Sequence, residues 1–137
     1  MVANGDVTSA ADAALVLEQS GADAVMVGRA SYGAPWAAAE IAHAAGSGAA
    51  QGIPRSAGDI AGYVIAHYEA MLSLYGVESG LRQARKHLGW YLERHAAAAA
   101  PDLRKAIMTG LEPRQVIAAL RKAFLAGEAA MDIRDVA

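Results

Sequence analysis

The sequence has no cysteine. Disulfides and thiolate chemistry are therefore excluded from this chain, an absence in keeping with a cytoplasmic protein. Long apolar runs are also missing: glycine or a charge interrupts every one well before the ~20 residues a membrane span needs. Five consecutive alanines at 96–100 are too few and too weakly apolar to anchor anything. The N-terminus lacks a basic segment followed by an apolar one, so no signal peptide is visible. Aromatic volume is scarce, with one Phe, two Trp and five Tyr among 137 residues. Much of the 55% hydrophobic content is alanine, which favours helix and buries little area per residue.

Positive charge is nearly absent from the first part of the chain. Residues 1–50 hold one basic residue, Arg29, against five acidic ones, whereas residues 51–137 hold eleven basic against nine acidic. Between Arg55 and Lys122 the balance is ten to six, a modest surplus that hints at a polyanionic partner.

The order of patterns divides the chain. Val2 to Asn4 reads as the end of a buried strand. Thr8 and Ser9 offer helix caps, and Ser9-x-x-Asp12 resembles a capping box with Asp in place of Glu. Ala10, Ala13, Ala14 and Leu17 then fall on one helical face, and Gly21 stands where a helix would stop. Asp23–Val27 reads as a strand buried on both sides, and Pro35 opens a helix over about 36–45. Strand, helix, strand, helix is the alternation of a parallel sheet, but two strands do not make such a sheet stable alone.

Gly46-Ser-Gly48 and Gln51-Gly-Ile-Pro54 form the expected joint. Beyond it the pattern is helical. Ile60, Val64, His67, Tyr68, Met71, Leu72 and Tyr75 mark one helix, stopped near Gly76. Leu81, Ala84, Leu88, Tyr91 and Leu92 mark a second, running to about His95. Pro101 starts a short third helix ending near Gly110. Pro113 opens a fourth with Val116, Ile117, Leu120, Phe124 and Leu125, and the last ten residues are expected to be frayed or extended. Four helices on short links predict a small bundle.

Two short loops carry the chemistry. Asn4-Gly5-Asp6 would suit a hairpin turn, but a capped helix follows instead of a second strand. A strand-to-helix loop is the better reading, and such loops line the ligand-binding edge of α/β proteins. Gly5 would let a ligand approach the backbone, and Asn4 both donates and accepts hydrogen bonds. Gly28-Arg29 holds the equivalent place after the next strand. It reads equally as a phosphate site, with exposed N–H groups and a planar guanidinium, or as a capping glycine beside a solvated arginine.

In the helical part, Arg82, Arg85 and Lys86 share one side of a helix, among basic residues that also include Arg94, Arg104, Lys105, Arg121 and Lys122. On charge alone a solvated helix face is the stronger reading. His67, His87 and His95 lack the i, i+4 spacing and nearby cysteines of a zinc site, so no metal is expected. His67 reads as a boundary residue. Trp90 and Tyr91 could stack on bases, although packing is the expected role of at least one.

"VANGDVTSAADAALVLEQSGADAVMVGRASYGAPW" resembles the end of the barrel in bacterial tRNA-dihydrouridine synthases. "ARKHLGWYL", Ala84 to Leu92, resembles a helix of their C-terminal domain, in the branch once linked to nitrogen regulation. The likeness covers nearly the whole chain in matching order. It implies an α/β segment (the last two βα units of an FMN-binding TIM barrel) over residues 1–50, then an all-α, tRNA-binding four-helix bundle over residues 51–137.

The implied activity is NADPH-driven, FMN-dependent reduction of particular tRNA uridines to dihydrouridine. By that resemblance Asn4, Gly5 and Asp6 contact FMN, and Gly28 and Arg29 lie at its phosphate. The helix side with Arg82, Arg85 and Lys86 becomes a candidate for tRNA phosphate contacts. The family's general acid is a cysteine on an earlier barrel loop, absent here, and its flavin-facing lysine and first six strands are also missing. The chain matches roughly the last two-fifths of a family member. A cut gene product, a broken reading frame or an internal start at Met1 would each produce that match.

The chain alone is therefore expected to be inactive, and its exposed strand edges would favour self-association. One rival is a stand-alone helical RNA-binding or protein-interaction module without catalysis. Another is an FMN barrel acting on small pyrimidines, which would have no reason to carry the "RKHLGWYL" helix.

Overall fold

The computed structural model describes the backbone of residues 1–48 and 51–132. The chain is mostly helical and divides into two compact units, Met1–Ile53 and Pro54–Ala137. No described helix is long and apolar enough to cross a membrane.

The first unit contains strands β1 (Val2–Asn4) and β2 (Ala24–Met26) and helices α1 (Ala10–Ser20) and α2 (Ala37–Ala44). A single 3₁₀ turn, Arg29–Ser31, which the sequence pattern did not signal, follows β2. The strands run parallel, with Val2 opposite Ala24, Ala3 opposite Val25 and Asn4 opposite Met26. Ser9 caps α1, its hydroxyl accepting the Asp12 N–H at 3.1 Å. The Asp12 carboxylate turns to Thr8, accepting its N–H at 3.0 Å and its hydroxyl at 2.7 Å. At the other end Gly21 takes φ 64°, a left-handed conformation that ends a helix cheaply only for glycine.

Two readings of this unit are corrected. The β2 strand is not buried on both sides: Val25 packs against the core of Val7, Ala13 and Ile41, while Ala24 and Met26 face outward, Met26 48% exposed. β1 follows the same rule, with Val2 64% exposed. Successive strand residues point to opposite faces, and among the described residues of this unit helices cover one face only. On α1, Ala14 is exposed and Val16 takes its place toward the core. Larger Val16 gains more by burial and draws the helix face toward itself.

The second unit holds α3 (Ala57–Tyr75), α4 (Val77–His95), α5 (Pro101–Thr109) and α6 (Pro113–Asp132). α3 opens with a full capping box: Ser56 accepts the Asp59 N–H at 3.0 Å, and the Asp59 carboxylate accepts the Ser56 N–H at 3.1 Å. Gly76, at φ 75°, separates α3 from α4 so that the two fold against each other. The crossing is tight, since a Cβ on Gly80 would stand 2.8 Å from Leu72 Cα. α6 packs on α3 and α5. Val64, Tyr68, Leu88, Tyr91, Leu92, Ile107, Val116 and Leu120 are each at most 2% exposed, and form the core.

Two further expectations fall differently. Tyr75 is half-exposed at the end of α3, while Ala61 and Ile65 are buried in its stead. Helix α6 continues to Asp132, beyond the point where fraying was expected; residues 133–137 lie outside the described residues.

Candidate functional site

Parallel pairing in register places Asn4 and Met26 side by side, so the loops after β1 and β2 leave the sheet at the same edge. The first loop turns sharply, the Val7 N–H donating to the Gly5 carbonyl at 2.9 Å. Val7 then plunges into the core at 2% exposure and anchors the turn. The second loop passes through Gly28 into the 3₁₀ turn, where the Ser31 N–H donates to the Gly28 carbonyl at 2.9 Å.

Arg29 Nη2 donates to the Asp6 carboxylate, joining the two loops across the end of the sheet. Both side chains remain about three-quarters exposed, so the pair adds little to stability. Its effect is positional: it holds a guanidinium over the sheet edge. A cleft of about 380 Å³ lies there, lined by Asn4, Gly5, Asp6, Gly28 and Arg29. A Cβ on Gly5 or Gly28 would meet nothing within 4 Å, so both glycines open on the cleft side or to solvent. The structure thus gathers all five residues singled out in the loops around one cleft. The Asp6–Arg29 pairing itself was not legible, because 23 residues separate the partners.

In the helical unit the three selected cations behave differently from one another. Arg82 is already engaged, Nη1 donating to Glu78 Oε1 at 3.1 Å one helical turn earlier. Arg85 is half-buried. Lys86 Nζ stands 4.8 Å from the centre of the Trp90 ring, a cation–π contact. Both engagements join residues four apart on α4, a spacing from which sequence analysis drew neither pair.

Sequence reading missed a cluster beside them. His67 on α3 meets His87 on α4 with ring centres 5.2 Å apart, and a hydrogen bond of 2.8 Å joins His67 Nδ1 to the Tyr91 hydroxyl. Burial and the neighbouring His87 charge push the His67 imidazole below its ordinary range. Burial pushes the Tyr91 phenol up, so that its proton is kept. Tyr91 is 1% exposed and belongs to the core, whereas Trp90 is half-buried. Among the described residues no group of three or more His, Cys, Asp or Glu side chains is placed to hold a metal ion.

Comparison with known proteins bears on what such a chain is. The family model for dihydrouridine synthase matches residues 1–128. A probable tRNA-dihydrouridine synthase of Rhodobacter capsulatus is 52% identical over 130 residues, covering 95% of this chain and 39% of that protein. One from Rhizobium leguminosarum bv. phaseoli is 49% identical over 137 residues, all of this chain and 40% of that protein. The tRNA-dihydrouridine synthase B of Xanthomonas axonopodis pv. citri is 41% identical over 124 residues, covering 90% and 36% respectively. The chain therefore spans about two-fifths of the length of the curated relatives it matches. On these grounds the chain belongs to the dihydrouridine synthase family, and corresponds to its C-terminal part.

Proposed function

We propose that this chain forms the flavin-phosphate end and the RNA-binding helices of an FMN-dependent tRNA-dihydrouridine synthase. The observation that carries the reading is the Arg29–Asp6 bridge between two loops at the C-terminal edge of parallel strands. Ligands of α/β proteins bind at that edge. In this reading residues 1–50 are the last two βα units of a (β/α)₈ barrel, and residues 51–137 are a four-helix bundle that grips tRNA in the cytoplasm.

The cleft residues fit the phosphate end of a flavin mononucleotide. A guanidinium balances the phosphate charge, and two glycines leave the backbone open to close approach. The Asn4 carboxamide adds a donor. Asp6 repels an anion directly and serves by holding Arg29 in place. When bound, FMN supplies the hydride chemistry by which electrons from NADPH reach the C5–C6 bond of a uridine. Arg82, Arg85 and Lys86 then face tRNA phosphates, and the edges of the two-stranded sheet offer a surface for self-association.

The test compares FMN with riboflavin, which lacks the phosphate, in a fluorescence titration of the whole chain. FMN binding that exceeds riboflavin binding and falls at least tenfold in Arg29→Ala supports the assignment. Equal binding of both flavins, or of neither, overturns it. The chain has no cysteine to act as the general acid, so the purified chain is expected to form no dihydrouridine in tRNA with NADPH. Measurable turnover would refute that expectation.

A second reading, a helical RNA-binding or protein-interaction module without catalysis, draws support from the separate core of the α3–α6 unit. A salt-sensitive tRNA shift together with no flavin binding would favour it.

A further inference from the structure

The face shared by α3 and α4 carries a row of ring-bearing side chains. Tyr63 meets His67 edge-on with centres 6.5 Å apart, His67 meets His87 at 5.2 Å, and His87 meets Trp90 at 5.3 Å with their planes nearly perpendicular. His67, His87 and Trp90 are half-buried, and Tyr63 is 37% exposed. Beneath them lies Tyr91, whose hydroxyl fixes the His67 ring at Nδ1. Lys86 covers the Trp90 ring, and Arg85 stands next to it in sequence on α4. Edge-on contact is how packed rings ordinarily meet, but the partial exposure of these rings and the cations beside them set the row apart from core aromatics. It is the composition that unpaired bases select: flat π-faces for the base, and ammonium or guanidinium groups for the adjoining phosphates.

From this we infer that the Tyr63–His67–His87–Trp90 face is a docking surface for unpaired RNA bases, with Trp90 stacking on a base, the perpendicular His87 ring bounding that base at its edge, and Lys86 moving from the indole to the next phosphate. The inference rests on the RNA-binding reading above and goes beyond it, since that reading needs only charge. Charge complementarity decides the class of occupant. An acidic partner without bases would need only the cations, and an apolar protein partner would not be served by two imidazoles and a lysine at its centre.

The probes are unmodified tRNA, a single-stranded oligouridylate and an RNA duplex of equal charge, each titrated into the full chain. Trp36 is only 7% exposed, so a change in emission on RNA addition reports on Trp90. Oligouridylate is expected to quench that emission, and the duplex to leave it nearly unchanged. Trp90→Leu should weaken oligouridylate binding about tenfold without altering the salt slope, the signature of lost stacking. Lys86→Gln should weaken all three RNAs and lower the slope by about one. His87→Gln should weaken oligouridylate alone.

Binding of tRNA that Trp90→Leu and His87→Gln leave untouched, with no quenching in the parent chain, overturns the stacking face while RNA binding through charge survives. No binding of any RNA at low salt removes both. Quenching in the unsubstituted chain requires no variant to fold, so the stacking face is exposed to refutation even if Trp90→Leu misfolds.

Discussion

Tyr68 is 1% exposed, and its hydroxyl has no hydrogen-bond partner among the described residues. An unpartnered buried hydroxyl costs about 1–3 kcal/mol of desolvation. Tyr68→Phe is therefore expected to raise the melting temperature of the helical unit, followed by circular dichroism. A fall would reveal a partner for that oxygen. His67 sets a pH dependence of definite sign. Its folded pKa lies below the unfolded value of about 6.5, chiefly through burial and then through the His87 charge. As pH falls through that value the unfolded chain takes the proton first, so stability is complete above it and is lost towards the folded pKa. Melting temperature should decline as pH falls through about 6.5, the unfolded value, and His67→Gln should flatten the decline. Asp12 and Asp59 act in a separate, more acidic window. Hydrogen bonds from Thr8 and from the Arg55 and Ser56 region hold their carboxyls below the usual range, so their contribution disappears only as pH falls below about 4.

At the scale of elements, the α3–α4 pair depends on one residue without a side chain. A Cβ at Gly80 would approach Leu72 Cα to 2.8 Å and the Met71 carbonyl oxygen to 2.9 Å, and backbone atoms cannot swing aside. Gly80→Ala should force the helices apart at a cost of about 1–3 kcal/mol, lowering the melting temperature on the order of 10 °C. An unchanged melting curve would show that the helices do not cross so closely. Element boundaries were the most legible feature of this sequence. Gly76, Pro101, Gly110 and Pro113 mark starts and stops, because glycine stops and the φ restriction of proline act within a few residues. Faces were less legible. Alanine-rich helices such as α1 give a weak apolar stripe, and the choice between Ala14 and Val16 fell to the neighbouring layer.

For the molecule as a whole, the two units differ in what holds them. The first has a cluster of Val7, Ala13 and Ile41 with three half-buried valines, and also buries Ala34, Trp36 and Ala37. The second buries Tyr68, Tyr91, Leu88, Leu92, Ile107 and Leu120 almost completely. A chain beginning at Pro54 is therefore expected to fold and melt cooperatively. In the full chain, hydrogen exchange should show strong protection in α3 and α4 and fast exchange in α1 and α2. Equal protection in both units would contradict this.

Read without any structure, the sequence determined what depends on neighbours along the chain. It marked the helices and their ends, the two glycine-bearing loops and the likeness to tRNA-dihydrouridine synthases. Tertiary structure decided the rest. It exposed Ala24 and Met26, buried Ala61 and Ile65, paired Asp6 with Arg29 across 23 residues and brought His67 to Tyr91 across 24. Caps and periodicity are energies of adjacent residues and are written in order. A contact between distant residues depends on where two packed elements cross, and that position follows from the volumes of many side chains at once.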